Sequence, residues 1–202
     1  MAVNRTLRQQ RADDTKRRLV QAAAQLFAQK GYHDTTVDEI ARHAGVAKGT
    51  FFVHFPTKDA VITVLMRRQI RSARRARTEA KSPIDALVAA VMTLGVEADA
   101  SRALLRACLA ASLDSAAIGG FADAIFGELM EDMMQDVRLA QEGGILRPDA
   151  DPQMVVEALI ASYLGASVHF VTSPRMRPLP EVLRQLVEAN LEGFRVSHSR
   201  RR

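Results

Sequence analysis

The stretch from Val46 to Asp59 reads VAKGTFFVHFPTKD and sets Lys48, Thr50, His54 and Lys58 around the apolar run Phe51-Phe52-Val53. These residue types suit recognition of an anion or a base edge. A lysine can reach a guanine edge or a phosphate, a threonine a base edge or a phosphate, and an aromatic ring a thymine methyl. His54 and Lys58, at the rim, can contact phosphates, which fix register rather than sequence. An apolar triplet in such company is either a buried strand or a short helix with one face in a core and the other against a partner.

No rival chemistry stands out. The chain has no Gly-x-Gly-x-x-Gly, no phosphate loop, no His-Glu-x-x-His and no Cys-x-x-Cys. Its five histidines are scattered, with only His33 and His43 near each other. A single cysteine, Cys108, excludes an internal disulfide framework and a multi-cysteine metal site. The expectation is no enzyme, no cofactor and no metal.

The elements around the stretch decide between strand and helix. Leu19, Ala22, Ala23, Leu26 and Phe27 follow the spacing of one helix face, and Gly31 stops it. This predicts a first helix over 13–30. Thr36-Val-Asp-Glu39 is a capping box, so a short second helix runs over 37–44 and ends at Gly45. The run 47–53 is then a third short helix, broken at Phe55-Pro56 because the residue before proline avoids the helical region. On it Phe51 and Phe55 share the inward face. Thr57 can cap a long fourth helix to about Lys81, and Ser82-Pro83 opens a fifth. Further helices are predicted at 101–115, 121–142, 152–173 and 180–197, bounded by Gly119-Gly120, Gly143-Gly144, Asp151-Pro152 and the loop Pro174 to Pro180. The fold class is all-α, with about nine helices.

Charge divides the chain in the same place. Residues 1–81 hold 17 Lys+Arg against 7 Asp+Glu, while residues 82–202 hold 11 against 16. A basic module joined to an acidic one points to nucleic acid or an anionic membrane as partner of the first. No stretch reaches the roughly 18 apolar residues of a membrane span, and the N-terminus has no signal-peptide pattern. A cytoplasmic protein without membrane contact is expected. The boundaries are a flexible basic arm 1–12, a DNA-binding domain 13–57, a connecting helix 58–81, a C-terminal domain 82–197 and a basic tail 198–202. Arg5, Arg8 and Arg11 of the arm read either as minor-groove contacts or as a mobile tail. The arginines of helix four (Arg67, Arg68, Arg71, Arg74, Arg75 and Arg77) read as a solvated face.

Two short helices around Gly45 match the helix-turn-helix plan, whose second helix enters the major groove. Residues 17–65 resemble the DNA-binding domain of the TetR family of bacterial regulators. Leu26-Phe27, Gly31-Tyr32, Thr35-Thr36-Val37, Ile40-Ala41, Ala44-Gly45-Val46, Gly49-Thr50-Phe51, His54-Phe55 and Lys58-Asp59 carry the resemblance, in order and without gaps. It implies a three-helix DNA-binding domain, a C-terminal helical domain for effector binding and dimerisation, and a palindromic double-stranded operator. The expected DNA-facing set is Thr36, Val37, Lys48, Gly49, Thr50, Phe52, Val53, His54 and Lys58. Two positions depart from the family: Ala47 replaces the usual cap serine, and Phe52 replaces the usual tyrosine.

The C-terminal domain gives softer signals. Phe121, Ile125, Leu129 and Met133 form one stripe, with Phe126, Met130, Met134 and Val137 beside it. The stripe reads as core, and its methionines also suit a varied apolar ligand. With a pocket implied by the resemblance, the lining candidates are Met92, Cys108, Phe126, Met130, Tyr163 and His169. Glu128, Glu131, Asp132 and Asp136 are expected to be exposed. Small residues at Ala158, Ala161, Ser162, Gly165 and Ala166, and the apolar face Leu183, Leu186, Val187, Leu191 and Phe194, fit either packing within one chain or the homodimer interface that the resemblance implies. The expected function is a sequence-specific repressor released by a small apolar or amphipathic effector. The alternatives are a DNA-binding regulator without an effector and a helical enzyme.

Overall fold

The computed structural model describes residues 6–114, 116–173 and 175–196, of which 116–125 by backbone alone. Among them run nine α-helices: α1 Leu7–Lys30, α2 Val37–His43, α3 Lys48–His54, α4 Asp59–Thr78, α5 Pro83–Asp99, α6 Arg102–Asp114, α7 Ala116–Glu142, α8 Pro152–Thr172 and α9 Leu179–Phe194. An isolated antiparallel bridge joins Leu146 to Arg195.

Local signals account for most boundaries. Both arms of the Thr36–Glu39 capping box are formed. Gly45 has φ +67°, a conformation that costs glycine least, and it lets the Val46 amide return to the Ala41 carbonyl at 3.0 Å. Ser82 accepts the Asp85 amide with Pro83 in the first turn. The Thr57 hydroxyl accepts the Ala60 amide at 3.3 Å, so it caps α4 although the helix begins two residues later.

Three expectations are corrected here. The first helix starts at Leu7, because Thr6 and Gln9 form a capping box of their own. Arg8 and Arg11 therefore stand on a helix instead of a loose arm, while Arg5 lies outside the described residues. Gly119-Gly120 does not divide helices, since α7 runs through it. In addition, α8 is long and apolar enough to cross a membrane by length and composition, yet half of its most apolar window is buried inside the protein. The tail 198–202 and the side chains of Phe121 and Ile125 lie outside the described residues.

Two apolar cores form. One joins α1, α2 and α3 through Phe27, Ile40, Phe51 and Phe55. The other fills the bundle of α5, α7, α8 and α9. Two helices belong to both. α4 places Val61 and Ile62 in the first core and Ile70 and Ala73 in the second, and α6 places Ala107 and Ala111 in the first and Leu105 in the second. Close-packed cores transmit displacement instead of absorbing it. A shift of α4 or α6 in one core is therefore felt in the other.

Candidate functional site

The front of α3 is built by division of its side chains. Phe51 is fully buried and Phe55 nearly so, with ring centroids 5.6 Å apart. Phe52 leaves by the other side, half exposed, with its ring edge-on to Phe51 at 5.5 Å. Val53 is 80% exposed on the same side. Lys48 and Gly49 are exposed beside them, and Thr50 and His54 are half-buried. These residues form one continuous face. Ala47 stands at the N-cap without a side-chain hydrogen bond, so the first turn of α3 is held by tertiary packing.

The surroundings set what each polar group can do. Lys48 Nζ reaches Asp38 Oδ2 of α2 at 2.9 Å, both side chains being more than half exposed. Such a pair is worth little in water and opens easily to a phosphate or guanine. Sequence reasoning missed Asp38 as its partner, although an acid in the first turn of α2 was a readable signal. The Thr36 hydroxyl donates to Glu39 Oε2 at 2.8 Å and accepts the Glu39 amide, so it is held within the capping box. The amides at the start of α2, Val37 among them, remain the group suited to a phosphate. Glu39 is itself held by Lys30 at 2.6 Å, and Lys30 with Thr36 lowers its carboxyl to about 2.

Lys58 is turned into the α1–α2 loop instead of standing free at the rim. Its ammonium has three donors, and they face the carbonyls of Tyr32 at 2.7 Å, Thr35 at 2.9 Å and His33 at 3.5 Å. It also lies over the Tyr32 ring, 4.1 Å from the centroid. Burial lowers its pKa. The Tyr32 hydroxyl donates to Asp59, and burial together with Asp59 raises the Tyr32 pKa. This knot ties the α1–α2 loop to the start of α4. His33 of the same loop meets Asp114 of α6 at 2.9 Å.

Arg67, Arg68, Arg71 and Arg75 of α4 are exposed as expected, but Arg74 and Arg77 are reassigned. Arg74 bonds Asp132 at 2.7 Å and Glu128 at 2.6 Å, and Arg77 grips both oxygens of Asp136 at 2.9 Å. Asp136 is buried, so it is not the exposed acid expected, whereas Glu128 and Glu131 are exposed. Burial outweighs the Arg77 guanidinium and raises the Asp136 pKa.

A cavity of about 290 Å³ opens between α4, α5 and α6. Leu65, Ala98, Leu104, Leu105 and Cys108 supply its apolar wall, and Arg68, Gln69, Glu97 and Ser101 its polar part. Of the expected lining residues it includes Cys108, whose thiol burial pushes up to about 12. Tyr163 is buried in the bundle core, and Met92, Phe126 and Met130 pack against that core. His169 is exposed and is withdrawn as a lining residue. Leu65, Leu104 and Glu97 were missed because they meet only through the crossing of three helices.

A model for the N-terminal region of the TetR family of bacterial regulatory proteins matches residues 19–64, and one for the C-terminal region of BetI-type transcriptional repressors matches residues 80–195, more than half the chain. The chain belongs to the TetR family. It is a DNA-binding transcriptional regulator by that membership. The A-factor receptor protein of Streptomyces griseus is 29% identical over 158 residues, 78% of this chain and 55% of the receptor, so the chain spans about half that relative's length. The regulator UidR of Escherichia coli K12 is 26% identical over 75% of this chain and 79% of its own. The fatty acid degradation regulator FadR of Bacillus halodurans shares the fold at a TM-score of 0.78 and 20% identity, over 89% of this chain and 95% of its own. Thermus thermophilus FadR, solved in complex with lauroyl-CoA, aligns at 0.67 and 25% identity over 93% and 98%.

In this TetR-family chain the expected dimer face is only partly on the surface. Leu183, Val187 and Leu191 are buried within the chain, and a Cβ on Gly95 of α5 would collide with Leu183. Phe194 packs on the same core. Leu183, Val187 and Leu191 hold α9 to its own bundle and are withdrawn as interface residues, whereas Phe194 keeps part of its surface free. Leu186 is exposed, as is Gly165, while Ala158 and Ser162 are half-buried, with the Ser162 hydroxyl accepting from Asn190 Nδ2 at 2.9 Å. Leu164 and Val168, exposed at 41% and 50%, extend that face and were missed.

Proposed function

We propose that the chain is a homodimeric, sequence-specific repressor of a palindromic operator, released by a small amphipathic effector. The observation that carries this reading is the front of α3, where Lys48, Phe52 and Val53 stand exposed on a helix anchored by Phe51 and Phe55. Lys48, Thr50, Phe52 and Val53 face the bases, and His54 with the start of α2 at Thr36 and Val37 faces phosphates. Gly49 keeps the helix front low enough for close approach. Two copies joined through the exposed parts of α8 and α9 set two such helices for major grooves ~34–36 Å apart.

The effector reading rests on the cavity and on its position. Two of its three walls come from α4 and α6, the helices that carry residues of both cores. A molecule that fits the cavity in one arrangement of these helices and not in the other shifts the population between them; equal fit shifts nothing. The relative solved with lauroyl-CoA favours an effector with an apolar body. A cytoplasmic location and the absence of catalysis follow from the same reading.

The test is operator binding by fluorescence anisotropy at fixed salt, with the natural upstream region and a random duplex. Lys48→Ala should weaken the specific complex by about 1–3 kcal/mol and the random one much less. Equal loss on both duplexes, or no loss, removes Lys48 from base reading and with it the placement of the recognition helix.

A further inference from the structure

Two charged residues line the cavity between α4, α5 and α6, and they are not equivalent. Arg68 is exposed, whereas Glu97 is half-buried. Neither makes a hydrogen bond or ion pair among the described residues. A guanidinium in water needs no partner. A half-buried carboxylate beside an apolar wall has lost part of its hydration, and a group of opposite charge or hydrogen-bond donors restores it. The opposite charge on the same wall, Arg68, is exposed and is not paired with it. Gln69 and Ser101 are neutral, and the Ser101 hydroxyl already accepts the Leu104 amide at 3.2 Å. Cys108, held near 12 by burial, is a neutral thiol at physiological pH and offers neither a competing anion nor a reactive thiolate. The rest of the wall, Leu65, Leu104 and Leu105, suits a hydrocarbon body. At about 290 Å³ the space lies at the small end of ligand pockets, which run ~300–1,000 Å³.

We infer that the effector is a small amphiphile with a cationic head, its positive group seated against Glu97 and its apolar body between Leu65, Leu104 and Leu105. This names the ligand class of the cavity and rests on the effector reading above. The head group discriminates and the chain supplies affinity, since a hydrocarbon wall ranks ligands by size while a half-buried carboxylate favours a positive group over a negative one.

The full-length protein is titrated by calorimetry with octyltrimethylammonium, octanoate and octanol, which share one chain and differ in charge. The expected result is at least tenfold tighter binding of octyltrimethylammonium than of the other two. Glu97→Gln should remove that preference while octanol still binds, which reports an intact cavity. Arg68→Gln should keep the preference. The inference is overturned if octanoate binds tightest, if none of the three binds, or if Glu97→Gln leaves the ammonium affinity unchanged. Operator release is read separately by anisotropy on the same samples. Ammonium binding that depends on Glu97 but leaves DNA bound keeps the ligand class and removes the release mechanism. Release by octanol and octanoate as well as by the ammonium keeps the effector reading and removes the cationic head.

Discussion

The basic residues of α3 and those of α4 are alike in sequence and opposite in use. Lys48 leans on one exposed acid and can leave it at little cost. Arg74 and Arg77 are locked to Glu128, Asp132 and Asp136 of α7, where Asp136 has almost no contact with water. Lys58, only four residues beyond His54, spends its donors on backbone carbonyls. A cation is available to DNA only when its own fold does not need it. The net excess of positive charge over residues 1–81 therefore overstates the charge that can meet a phosphate.

The largest expected effect lies in the α4–α7 seam. Arg77→Met strands Asp136 in the core, and breaking such a buried pair costs ~3–5 kcal/mol. The loss should be read by urea unfolding. It should be largest near neutral pH and shrink as the pH falls, because a carboxyl whose folded pKa is raised is neutralised by a proton and its burial then costs less. Arg77→Met with Asp136→Leu should recover most of the stability. A small loss for the single variant, or no recovery in the pair, breaks the contrast between locked and available cations.

Lys58→Met comes next. It removes the donors from the Tyr32 and Thr35 carbonyls in a half-buried loop, and each buried acceptor left without a partner costs ~1–3 kcal/mol. The thermal midpoint should drop. The slope of log affinity against log salt should not change, because no phosphate contact is lost. His54→Ala should do the reverse: stability nearly intact and a slope reduced by about one phosphate contact. If Lys58→Met flattens the salt slope instead, Lys58 belongs with the DNA contacts after all.

What could be read from sequence follows the range of the interactions. The Thr36–Glu39 box, the Gly45 turn and the Ser82-Pro83 start involve neighbours, and each is where the residue types put it. The Thr6–Gln9 box that extends α1 was equally local and would have been found by the same rule applied upstream. The partners of Arg74 and Arg77 lie 58 and 59 residues away, and no periodicity reports them. The apolar face of α9 was correct as a face, but nothing in it says whether its neighbour is α5 of the same chain or a second copy. The burial of Leu183 decides that for its own position, with its Cδ1 in the space that Gly95 leaves open. The cavity was least legible, because its walls come from three helices whose crossing is set by both cores.

The smallest effect sharpens the contrast at its exposed end. Phe52 is 49% exposed and edge-on to Phe51, so its ring position is fixed from behind and its outer edge is free. Phe52→Tyr adds a hydroxyl at that free edge without touching the core, and folding stability should stay within ~0.5 kcal/mol. On DNA the hydroxyl can meet a phosphate oxygen. One hydrogen bond of this kind contributes ~0.5–1.5 kcal/mol, more when the acceptor is charged. Affinity should rise on the operator and on random duplex alike, since a phosphate carries no sequence. A gain confined to the operator means that position 52 reads a base edge instead. A loss on the operator means that the bare ring of Phe52 is matched to a thymine methyl that a hydroxyl would displace, and the departure from tyrosine is then itself part of the specificity.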